Sequence, residues 1–442
     1  MKAGWRWFGP SDAISLAEIR QAGVTDIVTS LYSHRPGDVW PLREIKACAA
    51  EVRKAGMAWS VVESVPVHED IKKRTGDFRR YIEIYKRNLR NLAKCGVKTV
   101  CYNFMPVHDW ARTDLHKVLS DGSITLAYDQ DEVCAFEMFV LKRKGLEADY
   151  DAAVRTRARK VWARASSSKR KRIATALLLG LPGTTDDATP AGLRRELAAY
   201  ADIDGGMLKR NLYEFLNEIT PVLEDEGIDM AIHPDDPPFP IFGLPRILSS
   251  SADIREMVKA CPSKRVGVTL CTGSLGANLA NDCVKIFREF HDRIHFCHFR
   301  NLIHSAPGMF RESDSHLVGN TDMPALMLEL VKEEKRRGHE IVVRPDHGRM
   351  LDIDKGRKCY YGYSYGGRLI GLSELRGLEA GIKFFMSAPP AGSNLAGAKP
   401  RPSVAPVLKS AGKYDNILTF FRIGDAMPMN EGETKHHGEA HT

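Results

Sequence analysis

The feature that most constrains the fold of this chain is a regular alternation of short apolar runs with longer amphipathic segments. Eight strands are predicted, at Trp5–Phe8, Val24–Leu31, Ala58–Val62, Val97–Phe104, Asp229–His233, Val266–Cys271, Ile294–Phe299 and Glu340–Arg344. A helical pattern follows each strand, with helices predicted from near Ser11-Asp12, over Leu42–Lys54, Phe78–Ala93 and Leu208–Asp225, and around Leu369–Ile382. Because parallel strands need a helix at each crossover, eight such units in sequence predict an α/β fold, a closed (β/α)8 TIM barrel.

A doubly wound open sheet is the alternative architecture for such an alternation. An open sheet usually places a glycine-rich phosphate loop, GxGxxG, after its first strand. The corresponding segment here, Phe8-Gly9-Pro10-Ser11, lacks that pattern. The closed barrel is therefore favoured.

Two stretches depart from the repeat. Residues 105–190 form a long insertion after the fourth strand, with a helix predicted through Glu132–Lys142. Residues 387–442 are rich in Pro and Gly at their start, which indicates a flexible tail. We therefore predict one catalytic barrel domain, residues 1–386, with a partly helical insertion over the C-terminal face of the barrel as a lid or subunit contact, and an irregular tail.

The positive charge of the chain is concentrated in one segment. The formal net charge is +8, but Lys142–Arg172 alone holds twelve Lys and Arg against three Asp and Glu, a net charge of +9. Such a run is most often a solvated helix face, so we expect no nucleic-acid partner.

The composition is that of an ordinary soluble globular protein. Apolar residues make up 43% of the chain, yet no apolar run approaches the ~18 residues that span a bilayer. The segment Met1–Trp7 lacks the apolar stretch of a secretory signal, and the nine cysteines show no zinc-type CxxC pairs. We expect a cytoplasmic protein with reduced thiols and no membrane partner.

Four consecutive predicted strands end in residues that bind metals. These residues are His233, Cys271, His298 and Asp346. Because the C-terminal ends of barrel strands surround the reaction site, we expect the four side chains to converge. Mixed imidazole, thiolate and carboxylate ligands suit a transition metal, and a five- or six-coordinate Mn²⁺ or Fe²⁺ would keep positions open for substrate. Such a centre could chelate a carboxylate and its neighbouring hydroxyl and stabilise an enediolate.

At these residues the sequence resembles the mannonate dehydratase family, within the xylose-isomerase-like TIM-barrel superfamily. The resemblance runs from about Lys2 to Ile382. It is carried by Trp5–Pro10, Ser15–Gly23, Tyr102–Val107, His233–Pro238 (HPDDPP), Cys271–Ser274, Arg344–Gly348 (RPDHG) and Gly362–Ser364.

The resemblance implies a lyase that dehydrates D-mannonate to 2-keto-3-deoxy-D-gluconate and water, in hexuronate (glucuronate) breakdown, with one Mn²⁺ or Fe²⁺ per active site. It implies that His233, Cys271, His298 and Asp346 are the metal ligands. It further implies that His347 and Tyr363 are the acid/base pair, with Asp346 as a rival base, and that Arg344 holds anionic or hydroxyl groups of the substrate.

Further polar residues follow the third, fourth and seventh strands and are candidates for binding the hydroxyl groups of the sugar acid. They are Glu63, His68, Asn103, His108, Trp110, Arg112, Arg300 and Asn301. We also expect a homo-oligomer, a dimer or larger.

Three other functions remain open at this stage. A metal-dependent sugar or sugar-acid isomerase or epimerase on the same barrel is the nearest, although such sites usually lack a cysteine ligand. A metal-dependent nuclease would need more clustered carboxylates. A non-catalytic sugar-acid binding protein would not require the HPDDPP and RPDHG set.

Overall fold

The computed structural model describes residues 1–179 and 188–387, and the structural statements below concern these residues. The strands are β1 (Lys2–Arg6), β2 (Asp26–Thr29), β3 (Ala58–Glu63), β4 (Thr99–Tyr102), β5 (Asp114–Val118), β6 (Ile124–Asp129), β7 (Asp229–Ile232), β8 (Val266–Cys271), β9 (Ile294–Phe299), β10 (Leu302–Ala306), β11 (Met309–Glu312) and β12 (Val342–Pro345).

The helices are α1 (Leu16–Gln21), α2 (Leu42–Lys54), α3 (Glu69–Lys73), α4 (Phe78–Ala93), α5 (Gln130–Phe136), α6 (Ala152–Arg164), α7 (Ser167–Leu178), α8 (Pro190–Ala198), α9 (Gly205–Glu226), α10 (Ser251–Ala260), α11 (Thr272–Gly276), α12 (Cys283–Phe290), α13 (Met323–Arg337) and α14 (Tyr365–Ser387). A π-helical turn over Glu137–Leu141 continues α5, and single 3₁₀ turns occur at Leu146–Ala148, His291–Arg293 and Asp352–Asp354.

The predicted barrel is confirmed. Eight strands close in the order β1-β12-β9-β8-β7-β4-β3-β2, and each pairs in parallel with its neighbours. The helices pack around the strands through a large apolar layer, while a smaller cluster that includes Val61, Cys101 and Phe296 fills the barrel interior. Each fully buried aliphatic or aromatic side chain contributes about 1.5–3 kcal/mol to this packing.

The first strand begins earlier than predicted. It occupies Lys2–Arg6 rather than Trp5–Phe8, with Lys2 paired to Val342. Gly4 is required at this position because a Cβ there would lie 2.8 Å from Val342 Cγ1. A glycine weakens the apolar signal of a strand, which explains the shifted prediction, and the correction places Arg6 at the C-terminal end of β1.

The first helix also differs from the prediction of a start near Ser11-Asp12. Ser15 is the N-cap of α1, and it forms a capping box with Glu18. The Asp12 carboxylate instead accepts hydrogen bonds from the backbone N–H groups of Phe8 and Ile14. It therefore stabilises the turn before the helix.

A second sheet is the largest departure from the predicted fold. Its four antiparallel strands lie in the order β10-β11-β6-β5. Strands β5 and β6 come from the insertion that was predicted to be partly helical, and β10 and β11 form a hairpin where a helix was predicted directly after β9. The two segments pair through β6 and β11, for example at Tyr128 and Phe310.

The remaining helices agree closely with the sequence pattern. The bounds of α2 and α4 are those predicted, α9 and α14 extend a few residues beyond their predictions, and the helix predicted through Glu132–Lys142 is α5 with its π-helical turn. No helix in the described ranges combines the length and apolar composition needed to cross a membrane. Most of the predicted tail, residues 388–442, lies outside the described residues, so the domain boundary near residue 386 stays a prediction.

Candidate active site

A polar pocket opens at the C-terminal ends of the barrel strands. Its lining is Arg6, Glu63, Asn103, Asp109, Trp110, His233, Asp236, Arg344, Asp346, His347 and Tyr363. These residues come from the ends of five barrel strands, or the loops directly after them, and from the insertion after β4. The pocket therefore lies where barrel enzymes carry their reactive groups.

Three of the predicted metal ligands converge beside this pocket. His233 follows β7, Cys271 ends β8 and His298 lies near the end of β9, and one donor atom of each lies within 4.8 Å of the others. The register of the sheet pairs Cys271 directly with His298. The parallel strands thus bring together residues that are up to 65 positions apart in the chain.

The donor atoms are available for a metal. His233 Nδ1 lies 2.7 Å from the carbonyl oxygen of Pro234, which makes Nδ1 the protonated nitrogen and leaves Nε2 with a free electron pair. His298 Nε2 is buried without a hydrogen-bond partner among the described residues, although Glu63 Oε2 lies 3.3 Å away. The other ring nitrogen of His298, Nδ1, lies 3.3 Å from Arg344 Nη2. A buried imidazole nitrogen without a partner, next to a thiol, suits a divalent transition metal.

Asp346, the fourth predicted ligand, lies at the edge of this group. Its Oδ2 is 3.4 Å from Cys271 Sγ, and its Oδ1 is 3.9 Å from His298 Nδ1. Arg344 donates to Oδ1 at 2.6 Å and Arg300 to Oδ2 at 2.5 Å. Burial alone would raise the pKa of Asp346, but the Arg344, His347 and Arg300 side chains hold it well below its usual range, so the carboxylate is ionised.

Two other clusters also contain residue types that bind metals, but positive groups of the protein already neutralise part of their charge. Glu63, Cys101 and His298 lie within reach of one ion, but Glu63 already receives hydrogen bonds from both Arg6 and Arg344, and burial raises the pKa of the Cys101 thiol. Glu334, Glu340 and Glu379 surround the buried amino group of Met1, which neutralises part of their charge. The group around His233 is the better metal site, because no arginine donates a hydrogen bond to His233 or Cys271 among the described residues.

The side chains of His347 and Tyr363, which were predicted to be an acid/base pair, lie next to each other in the lining of the pocket. Their ring centroids are 5.3 Å apart, in an edge-to-face arrangement. His347 Nδ1 lies 2.9 Å from Glu312 Oε1, and Arg6 Nη1 donates to the hydroxyl oxygen of Tyr363 at 3.2 Å. Burial lowers the pKa of His347 and raises the pKa of Tyr363, so both side chains are neutral near pH 7.

Comparison with known proteins gives the family. The model of the D-mannonate dehydratase (UxuA) family matches residues 1–387. Mannonate dehydratases from Marinomonas sp. (strain MWYL1) and Chromohalobacter salexigens are each 46% identical to this chain, and the matches cover 87% of this chain and 99% of each relative. The chain belongs to the mannonate dehydratase family. The crystal structure of the mannonate dehydratase from Streptococcus suis serotype 2 is also similar, with 32% identity, a TM-score of 0.69, and coverage of 88% of this chain and 97% of that one.

Among the candidate substrate contacts, three line the pocket of this family member. Asn103 donates its amide to Asp109 Oδ2 at 3.0 Å, and the Trp110 ring meets the His347 ring edge-on at 6.1 Å. Glu63 also reaches the pocket, where it receives hydrogen bonds from Arg6 and Arg344. Asn103 and Trp110 thus belong to the lining of the pocket, while Glu63 is paired with two arginine side chains.

Arg112 and Arg300 were predicted to bind sugar hydroxyls, but most of their donors already have partners within the protein. Arg300 donates to Asp236 at 2.7 Å, to Asp346 and to Glu312. Arg112 donates to Asp236 at 2.7 Å and to Glu312 at 3.0 Å. Both guanidinium groups are buried and lie behind the pocket wall, where they fix its carboxylates.

The structure does not bring His68, His108 or Asn301 to the pocket. His68 accepts a hydrogen bond from the backbone N–H of Asp70 as the N-cap of α3. His108 is buried against Phe242, with ring centroids 5.5 Å apart, and Asn301 holds the backbone of Thr321. These three side chains lie outside the lining of the pocket, so a contact with substrate stays a prediction for them.

Four site residues were not among the predicted ones. Arg6 was missed because β1 was placed too late in the sequence, and Asp236 was passed over although it belongs to the HPDDPP motif. Asp109 lies between two residues that were predicted. Glu312 carries no sequence signal, because it comes from the unexpected hairpin.

Proposed function

We propose that this protein dehydrates D-mannonate to 2-keto-3-deoxy-D-gluconate and water, as a carbon–oxygen lyase of hexuronate breakdown. Membership of the family supports the reaction. The observation that carries the proposal is the joining, around one pocket, of the ligand group at His233, Cys271 and His298 with the neutral pair His347 and Tyr363. Dehydration needs both groups. A metal ion held by the ligand group would stabilise negative charge on the substrate, and the pair His347 and Tyr363 would transfer protons.

We propose that His233, Cys271, His298 and Asp346 hold one Mn²⁺ or Fe²⁺. When bound, such an ion would supply a Lewis acid that stabilises negative charge developing on the substrate. The thiolate and imidazole donors disfavour Mg²⁺ or Ca²⁺, which prefer oxygen ligands. Four protein ligands leave room for substrate only in a five- or six-coordinate ion, which favours Mn²⁺ or Fe²⁺ over tetrahedral Zn²⁺.

His347 is proposed as the base that removes the C2 proton of the substrate. Glu312 is an acceptor for Nδ1, so the proton of the neutral ring resides on Nδ1 and the electron pair on Nε2. A buried neutral imidazole that lines the pocket is able to accept a proton there. Asp346 is the weaker base, since its pKa is held far below neutrality by its cation partners.

Tyr363 is proposed as the acid that protonates the departing C3 hydroxyl. Its raised pKa keeps the hydroxyl group protonated at neutral pH. Arg6, at 3.2 Å, stabilises the phenolate that would remain after proton transfer. Arg344 lines the pocket and donates hydrogen bonds to Glu63 and Asp346. We therefore assign to it the role of holding these two carboxylates in place.

Incubation of the Mn²⁺-loaded protein with D-mannonate tests the proposed reaction. We expect formation of the 2-keto-3-deoxy acid, followed by mass spectrometry as a loss of one water. D-Gluconate, the C2 epimer, is the control substrate and should give little product. Absence of the keto acid with both Mn²⁺ and Fe²⁺ under reducing conditions contradicts the proposal, and an isomer of unchanged mass would instead identify an isomerase or epimerase.

We further propose that the enzyme is a cytoplasmic homo-oligomer that binds neither nucleic acid nor membranes. Part of the basic run is paired within the protein, for example Arg157 with Asp131 at 2.8 Å and Lys169 with Glu132 at 2.7 Å. Light scattering after size-exclusion chromatography measures the oligomeric state. A gel-shift assay at ~150 mM salt, without a shift, supports the absence of nucleic-acid binding.

A further inference from the structure

Glu312 links the second sheet to the reactive pocket. It is the last residue of β11, on a hairpin that is not part of the barrel, and only 4% of the residue is exposed. Its Oε1 atom lies 2.9 Å from His347 Nδ1. Glu312 itself does not line the pocket, so it can affect the reaction only through a neighbouring residue that does.

Two arginines fix the carboxylate of Glu312 in place. Arg112 Nη2 donates to Oε1 at 3.0 Å, and Arg300 Nη1 donates to the same atom. Burial alone would raise the pKa of Glu312, but the charge of Arg300 and the neighbouring His347 hold it well below its usual range. An ionised carboxylate only accepts hydrogen bonds, so the contact with His347 requires a proton on Nδ1.

We propose that Glu312 is a positioning residue, which orients the His347 ring and holds it in the Nδ1-protonated form with Nε2 free toward the substrate. This proposal rests on the proposed function, because it takes His347 to be the base that removes the C2 proton of the substrate. It gives the second sheet a role in the reaction, because Glu312 arrives on β11 and its partner Arg112 arrives on the insertion after β4. Fixing the tautomer and ring orientation of a catalytic histidine by a buried carboxylate accelerates proton transfer by orders of magnitude.

Two substitutions of Glu312 separate the effect of losing the hydrogen-bond acceptor from the effect of losing only the negative charge. Glu312→Met fills a similar volume and removes the acceptor, and we expect kcat to fall roughly 10²–10⁴-fold with KM changed by less than about threefold. Glu312→Gln keeps an acceptor oxygen without the charge, and we expect a fall of about 10-fold. Bound metal, measured by atomic emission, should stay at the wild-type level in both variants.

Glu333 provides a matched control. It is also a buried glutamate that contacts a histidine Nδ1, that of His291 at 2.9 Å, and receives hydrogen bonds from two arginines, but it lies on the outer helix α13. Glu333→Met and Glu333→Gln should leave kcat within about twofold of wild type. Equal losses of kcat in the Glu312 and Glu333 series overturn the proposal, since they would report general destabilisation.

A double-mutant cycle tests whether Glu312 acts through His347. In a His347→Ala background, the additional Glu312→Met change should lower the residual rate by less than about twofold. If the two substitutions instead act independently, so that the kcat loss of the double variant is the product of the two single losses, the proposal is overturned. If Glu312→Met is not recovered in folded form, Glu312→Gln takes its place in the cycle with the same two outcomes.

The tautomer of His347 is read directly by ¹⁵N NMR of the histidine-labelled full-length chain loaded with diamagnetic Zn²⁺. The His347 signals are assigned by their loss in His347→Ala. We expect a protonated Nδ1 and an unprotonated Nε2 in wild type, and a shift of this population in Glu312→Met. An Nε2-protonated ring in wild type overturns the proposal. Because this readout needs no substrate, it separates failure of the Glu312 proposal from failure of the proposed dehydration, which the product assay detects.

Discussion

Cys271 is the residue that most narrows the metal chemistry of the site. It ends β8, it is fully buried, and its Sγ accepts a hydrogen bond from the Ser274 hydroxyl at 3.1 Å. A thiolate in this position favours a transition metal over Mg²⁺. The role proposed for Cys271 therefore makes a prediction about bound metal that is independent of any assay of the reaction.

Replacing Cys271 with serine, or His233 with alanine, is expected to lower bound Mn²⁺ at least about 10-fold and activity in parallel, because each change removes one of four ligands. Atomic emission on the dialysed protein measures the metal. Cys297→Ser is the control, since Cys297 is a buried cysteine on β9 that packs in the apolar core. Retention of wild-type metal by both Cys271→Ser and His233→Ala means that the ligands are assigned wrongly.

Tyr363→Phe removes the proposed proton donor but keeps the ring. We expect kcat to fall roughly 10²–10⁴-fold, as for the loss of a general acid, with bound metal unchanged. Steady-state kinetics with D-mannonate measures the effect. Tyr361→Phe is the control, because Tyr361 lies two residues away but is 42% exposed. A Tyr363→Phe variant with wild-type kcat would falsify the assignment of Tyr363 as the acid.

At the scale of elements, the second sheet supplies partners that hold two of the predicted residues behind the pocket wall. The hairpin β10–β11 brings Glu312 to Arg112 and Arg300, and both arginines also donate to Asp236. These contacts occupy two arginines that were predicted to bind sugar. Removing one partner of a buried, fully desolvated ion pair is costly, because the other charge stays behind.

Arg112→Met is therefore expected to lower the free energy of unfolding by about 3 kcal/mol, within the usual range for breaking a buried pair. Urea unfolding at pH 7 measures the change. The control is Arg311→Met on the same hairpin. Its partly exposed side chain pairs with Asp314 at 3.6 Å and donates to the backbone carbonyl of Glu312 at 3.0 Å, contacts that together should contribute only about 1 kcal/mol. Similar effects in both variants would show that the buried network does not tie the insertion to the barrel.

The barrel could be predicted from the sequence because its signals are local. Helices α2 and α4 have the predicted bounds since each is a continuous amphipathic pattern, and strand ends at Cys271 and His298 follow from short apolar runs. The second sheet could not be predicted in this way. Its strands β6 and β11 pair across about 180 residues, and their mixed polar and apolar sequences resemble the surrounding loops.

The same contrast between local signals and contacts that are distant in sequence applies to the active site. His233, Cys271 and His298 were found because strand ends in a barrel converge. The direction of a loop side chain depends on contacts that are distant in sequence, as the burial of His108 against Phe242 and the approach of Glu312 to His347 illustrate. The sequence also does not reveal that Arg300 is neutralised by three carboxylates.

At the scale of the whole molecule, buried histidines make stability depend on pH. Burial, together with the charge of Arg246, lowers the pKa of His108 to about 4, and neither of its ring nitrogens has a hydrogen-bond partner among the described residues. The unfolded chain, with a histidine pKa of about 6.5, then binds a proton more readily than the folded protein. The free energy of unfolding therefore falls as the pH drops from about 6.5 to about 4.

A His108→Leu variant removes this titration. Between pH 7 and pH 4.5 we expect the variant to lose about 2–3 kcal/mol less stability than wild type, which corresponds to a shift of about two pKa units. Other groups, such as Asp129 with its pKa raised by burial to about 6, act in both proteins and cancel in the comparison. Urea midpoints across this pH range measure the difference, with the exposed His339 as the control in His339→Leu. Parallel pH profiles for wild type and His108→Leu would mean that His108 becomes protonated without cost in the folded state, as it would if water or a carboxylate reached its ring.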